Sequence, residues 1–163
     1  LFDIISVGEV SKSVGRGLFY DVKRRDVILK DAGRFIAGLI ENNADVKYDS
    51  RYNPRLELSF SAPTAPWYAT ALNHELGIDA VKAASSGLCI NGEDGIRKAF
   101  DLSYSFIDKP KTNISLLKRA LDGDDDAMTV LTYESLKKKD QVAFLKSKNI
   151  GVVAFDEMRE SVL

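Results

Sequence analysis

The chain has 163 residues, 45% of them hydrophobic and 29% charged, an ordinary globular composition that supplies one domain with its own core. Its formal net charge of -1 and pI near 5.9 withhold the whole-chain basic footprint of a dedicated nucleic-acid binder. A single cysteine, Cys89, excludes an internal disulfide framework and any multi-cysteine zinc site, and a single histidine, His74, leaves little material for His-based triads or metal centres.

No apolar run reaches the length of a membrane span, and "LFDIISVGEVSKS" lacks the basic start and long apolar stretch of a signal peptide, so a soluble protein is expected. In chain order, "FDIISVGEV" and "RGLFYDVKRRDVI" read as a hairpin or extended arm over residues 1–29, set before a domain over 30–163. Phe35, Ile36, Leu39 and Ile40 recur at helical spacing and predict a helix over 31–42, with Asp31 as its N-cap. "DVKYDSRYNPRLELSFS" alternates. It predicts a half-buried hairpin with Val46, Tyr48, Leu56, Leu58 and Phe60 inward and a turn at Tyr52-Asn53-Pro54. Thr64 and Pro66 start a second helix that Gly77 closes.

Short strands follow around "IDAVKAAS" and "GLCIN", separated at Ser86-Gly87. "GEDGIRKAFDLSYSFI", "TNISLLKRALDG" and "LTYESLKKKDQVAFLKSKN" carry helical patterns, the last with a polar face at Lys137, Lys138 and Lys139, and "IGVVAFDE" reads as a terminal strand. The order helix, hairpin, helix, hairpin, helix predicts an α+β domain of αββαββα type, with helices on one face of a four-stranded sheet. "DGDDDA" lacks the ligand alternation of an EF-hand and reads as an acidic inter-helix loop, while "VGRG" is too short for a phosphate loop. His74 reads as a surface or packing residue and Cys89 as a small core residue.

Several ordered stretches resemble the LAGLIDADG homing-endonuclease family, in its single-motif form. "IAGLIENNA" (36–44) is similar to the signature helix, "PRLELSFS" to the second strand and "ATALNHELGI" to the helix ending in Leu-Gly. "DGIRKAFDLSYSFIDKPKTNISLLKRAL" and "LTYESLKKKDQVAFLKSKNIG" are similar to the later helices and the lysine-containing loop. The resemblance covers roughly residues 30–151. It implies that two signature helices, from two subunits or halves, meet through small residues, here Gly33, Ala37 and Gly38. It also implies an acid at the helix end that holds divalent metal for phosphodiester hydrolysis.

In this chain Asn43 stands at that acid's position, Ala44 at the terminal glycine, Glu41 at the secondary acidic position and Asp45 one residue beyond. An amide offers one neutral oxygen and none of the charge that binds Mg²⁺, so the resemblance implies a degenerate catalytic site without a cofactor; Mg²⁺ enters only if a displaced acid sustains an active endonuclease. Lys109 or Lys111 in "DKPKTN" matches the family's active-site lysine.

Alternation places Asp45, Lys47, Asp49 and Arg51 on the polar face of the first strand and Arg55, Glu57, Ser59 and Ser61 on that of the second, with Lys82 added by the next hairpin. The candidate nucleic-acid contacts are therefore Lys47, Arg51, Tyr52, Arg55, Lys82, Lys109 and Lys111. Their small number favours RNA over a full-length DNA saddle. The expected partners are RNA and either a second copy or another protein at helix 31–42, with no membrane. The expected role is a maturase-like splicing cofactor or a structural subunit of a ribonucleoprotein such as a mitochondrial ribosome, in a mitochondrion or plastid. The alternatives are an active homing DNA endonuclease and a non-cleaving DNA-binding regulator.

Overall fold

Phe35, Ile36, Leu39 and Ile40 form the buried face of α1 (Ala32–Asn43), as their spacing predicts. The computed structural model describes residues 31–59, 65–85 and 87–163. The arm expected over 1–29, the inward Phe60, the helix-start Thr64 and Ser61 lie outside the described residues, as do the side chains of Asn42 and Asn43. Asp31 occupies the N-cap of α1 without a side-chain capping bond; its carboxylate instead lies 3.6 Å from Arg34.

After α1 come β1 (Ala44–Tyr48), β2 (Pro54–Ser59), α2 (Ala65–Leu76), β3 (Val81–Ala84), β4 (Gly87–Asn91) and α3 (Gly92–Ser103). This is an α+β arrangement with one four-stranded sheet, antiparallel throughout, in the order β1-β2-β4-β3. Val46, Leu56, Leu58, Leu88, Ile90 and Val81 turn one sheet face into the core, where α1 and α3 pack over β2 and α2 packs against β3. Strand alternation thus divides the sheet into an apolar side under helices and a polar side. Phe35 of α1 and the fully buried Tyr68 of α2 stack with ring centroids 5.0 Å apart, which ties the two helices together beneath the sheet.

Two local devices fix this layer. A Cβ placed on Gly33 would lie 2.1 Å from the carbonyl oxygen of Leu102, so α1 and α3 approach so closely there that only glycine fits. At the far edge, Asn73 of α2 lies beside β3. Its side-chain oxygen accepts the N–H groups of Ala80 (3.0 Å) and Val81 (2.7 Å), and its Nδ2 donates to the carbonyl of Val81 (2.8 Å).

The C-terminal third departs from the sequence expectation in two places. A short 3₁₀ turn (Tyr104–Phe106) and a loop lead from α3 into α4 (Thr112–Leu121), and α5 (Asp125–Ser135) follows. The single helix expected over "LTYESLKKKDQVAFLKSKN" is then broken at Leu136 and Lys137, both in extended conformation, so that α6 (Lys138–Ser147) starts afresh. Gln141 bridges the break by donating to the carbonyls of Tyr133, which also accepts the Leu136 N–H, and of Leu136.

The expected terminal strand is instead α7 (Val152–Val162). Its buried residues Phe155 and Val162, with half-buried Met158 between them, fall at helical spacing once the window extends past Glu157. The run "DGDDDA" divides likewise: Asp122 to Asp124 form the connection, Asp124 caps α5 by accepting the Ala127 N–H (3.0 Å), and Asp125 and Asp126 lie in its first turn. Among the described residues no helix is long and apolar enough to cross a membrane.

Candidate nucleic-acid interface

The polar sheet face presents two rows across the strands. Asp45, Glu57, Cys89 and Lys82 are neighbours in one, and Lys47, Arg55 and Asn91 in the next. Acid thus stands opposite acid and base opposite base, a pairing that is unfavourable across strands. Neutralisation runs along each strand instead: Lys47 lies 3.0 Å from Asp45 and Arg55 3.3 Å from Glu57. Lys82 lies 3.3 Å from Asp79. The alternation read from sequence therefore places Lys47, Arg55 and Lys82 on the outer face, and each arrives there with its own acid. Such exposed pairs contribute little to stability, about 0–1 kcal/mol each. Their carboxylates still cancel much of the field that a phosphate would meet.

Cys89 lies on this face as well, half-buried between Arg55 and Glu57, rather than in the core beside Leu88 and Ile90. Strand parity decides this: its neighbours in sequence point inward, so it points outward. Burial pushes its thiol above the ordinary range against the opposing field of Arg55, and the thiol donates to the Asn91 side-chain oxygen at 3.3 Å. His74 is exposed on α2, in agreement with its reading as a surface residue.

Asp49 and Arg51, expected on the polar face of the first strand, lie beyond its end in the β1–β2 turn. The Asp49 carboxylate accepts the backbone N–H groups of Arg51 (2.8 Å) and Asn53 (2.9 Å) and the side-chain amide of Asn53 (3.1 Å). The Asn53 donors, backbone first, and then the backbone and charge of Arg51 hold this carboxyl below the usual range. Arg51 projects from the turn, exposed.

Tyr52 is half-buried. It adopts a φ of +62° and packs edge-on against Phe144 of α6, with centroids 4.9 Å apart. Tyr48 is half-buried and donates its hydroxyl to the Met128 sulfur at 3.7 Å; burial raises its pKa to about 12.

Glu41 and the lysine loop do come together. The Glu41 carboxylate accepts the backbone N–H of Asp108 at 2.8 Å, so the end of α1 anchors the segment that carries Lys109 and Lys111. Both lysines are exposed, and Lys111 is the N-cap residue of α4. Among the described residues neither has a carboxylate partner, and no group of three or more His, Cys, Asp or Glu is placed to hold a metal ion.

The small residues of α1 are distributed differently from the sequence expectation. Gly33 does serve a helix contact, but with α3 of the same chain. Ala37 is buried within this chain at 3% exposure, whereas Gly33 and Gly38 both stay half-exposed, Gly38 on the side of Arg34 and Glu41.

The sequence shows the lysine run of α6 only as a polar face, because the β1–β2 turn and α6, which meet at Tyr52 and Phe144, lie far apart in the chain. A cleft of about 480 Å³ at the outer edge of β1, between Lys47 and α4, α5 and α7, was equally illegible; the Glu134–Arg159 ion pair (2.7 Å) forms one wall, and Asn113 contributes a buried side-chain oxygen without a hydrogen-bond partner. Comparison of the chain with protein-family models, with curated proteins and with solved structures finds no match.

Proposed function

We propose that this protein is a non-cleaving nucleic-acid-binding domain of LAGLIDADG-like build, acting as an RNA splicing cofactor or as a structural subunit of an organellar ribonucleoprotein such as a mitochondrial ribosome. The observation that carries the reading is the αββαββα order around an antiparallel sheet whose helices cover one face and leave a polar face open. Loss of cleavage rests on Asn43, which cannot supply the charge that holds a divalent cation. The two nearby acids are otherwise engaged: Glu41 holds the Asp108 N–H, and Asp45 is paired with Lys47. The half-exposed Gly38 on α1 supports a helix partner, either a second copy or another protein.

The test is to isolate the protein from its source and sequence the nucleic acid that accompanies it, then incubate the purified chain with plasmid DNA in Mg²⁺ and in Mn²⁺. Copurifying RNA and intact plasmid are expected. Copurifying DNA without cleavage would favour the regulator. Metal-dependent nicking that disappears in Glu41→Gln or Asp45→Asn would establish the endonuclease and overturn the proposal.

A further inference from the structure

Among the described residues, nine Lys or Arg side chains have no carboxylate within 4.0 Å. Five are Lys137, Lys138, Lys139, Lys146 and Lys148, on α6 and its flanks, a sixth is Arg51, and three lie elsewhere. The only acid in the segment 137–148 is Asp140. Phe144 and Leu145 are buried and root α6 in the core, so Lys139 and Lys146 project outward with exposed Val142 and Ala143 between them. Seven residues apart, they are separated by about 10 Å along the helix. The Tyr52–Phe144 contact joins the β1–β2 turn to the buried side of α6, the side away from Lys139 and Lys146, and Arg51 stands exposed in that turn. The exposed acids of α7, Asp156, Glu157 and Glu160, belong to a helix that packs along α5.

We propose that the exposed lysines of α6 and its flanks form a ridge that binds the phosphate backbone of single-stranded RNA, and that the polar sheet face is the weaker surface. The proposal rests on the reading above that the chain binds nucleic acid; it moves the site to where the cations are unpaired. Free lysines release counterions from a polyanion without first giving up a protein carboxylate. Lysine ammonium groups act as point charges and carry no base code, so affinity without sequence preference follows. A flexible strand can follow a convex helix, whereas a rigid duplex touches it over few phosphates. A lipid surface would need larger apolar side chains between the lysines than Val142 and Ala143.

The test measures fluorescence anisotropy of a labelled oligouridine against the full chain over a range of salt. Up to five neutralised phosphates give the wild type a log Kd against log salt slope of magnitude roughly 3–4. Lys139→Gln with Lys146→Gln should weaken binding on the order of tenfold and flatten the slope by roughly 1.4, with unchanged melting temperature. Lys47→Gln with Arg55→Gln on the sheet should change affinity less than about twofold, since those bases are already neutralised. Lost binding in the sheet variant and retained binding in the α6 variant would overturn this assignment and leave the nucleic-acid reading standing. Absence of wild-type binding would overturn both. Tighter binding to duplex DNA, or capture by phosphatidylserine vesicles in place of oligouridine, would also overturn the ridge.

Discussion

The sheet face and the α6 ridge both expose basic side chains, but they hold them in different ways. On the sheet, strand alternation sets two bases beside an acid two residues away on the same strand, Lys47 with Asp45 and Arg55 with Glu57, and Lys82 pairs with Asp79 just before its strand. On α6, Lys139 and Lys146 have no such partner, and the one acid of the segment, Asp140, makes no ion pair with them. Counting bases sets three on the sheet, Lys47, Arg55 and Lys82, against five on α6 and its flanks; counting those without an acid within 4.0 Å widens the difference to none against five. The same surface geometry that makes the sheet look like a platform also neutralises it.

The largest effect expected on this comparison comes from Phe144→Ala. It removes the ring that roots α6 and receives Tyr52, and it should cost about 3–5 kcal/mol in urea unfolding while also weakening oligouridine binding. A loss below about 1 kcal/mol would show that the turn and α6 do not depend on that ring.

The helical layer under the sheet answers to a different substitution. Gly33→Val drives a side chain into the Leu102 carbonyl and should cost roughly 1–3 kcal/mol, with the α6 surface unchanged. Gly38→Leu, on the half-exposed face of α1 beside Arg34 and Glu41, should alter the mass seen by light scattering if a partner helix sits there; a wild type that is itself monomeric would leave that face to a different protein.

The comparison sharpens if the sheet's acids are removed rather than its bases. Asp45→Asn with Glu57→Gln frees Lys47 and Arg55, and should steepen the salt dependence of oligouridine binding by roughly 1 while stability changes by about 1 kcal/mol or less. An unchanged slope would mean that the sheet face does not meet the strand even when its bases are free.

The smallest effect is a titration. Because the folded-state pKa of Asp49 is depressed, the stability it lends the turn is fully present above its unfolded pKa of about 3.9 and is lost as pH falls through the lower folded value. Carboxyl NMR should place Asp49 below that reference; a midpoint at or above it would mean that the turn does not hold Arg51 as described.

Much of this was readable in the chain because it depends on local period. Phe35, Ile36, Leu39 and Ile40 mark α1, and alternation through Val46, Leu56 and Leu58 marks the first hairpin and its outer bases. The failures have physical causes. Val152 and Val153 favour extended structure locally, and the residues that make α7 a helix lie beyond the stretch that suggested a strand. The break between α5 and α6 depends on Gln141 closing the gap, a contact that leaves no periodic mark. The packing of Tyr52 is silent in sequence because nothing in "SRYNP" announces Phe144, more than ninety positions away. The ion pairs of the sheet were visible in principle, since a base and an acid two apart on a strand share a face, yet their strength as partners emerges only with the side-chain geometry.

The amide of Asn73 bears on how the molecule behaves in a crowd. An edge strand offers unsatisfied N–H and C=O groups on which another chain can add a strand, and repeated addition leads to fibres. The Asn91 N–H bonds to the Ala80 carbonyl, which sets the alternation so that Val81 directs its own N–H and C=O away from β4. Asn73 occupies both, standing in for a neighbouring strand with one side chain. A chain seeking to extend the sheet at β3 would first have to expel an amide held by three short hydrogen bonds, so α2 serves this protein as a stopper against polymerisation as well as a wall of its core.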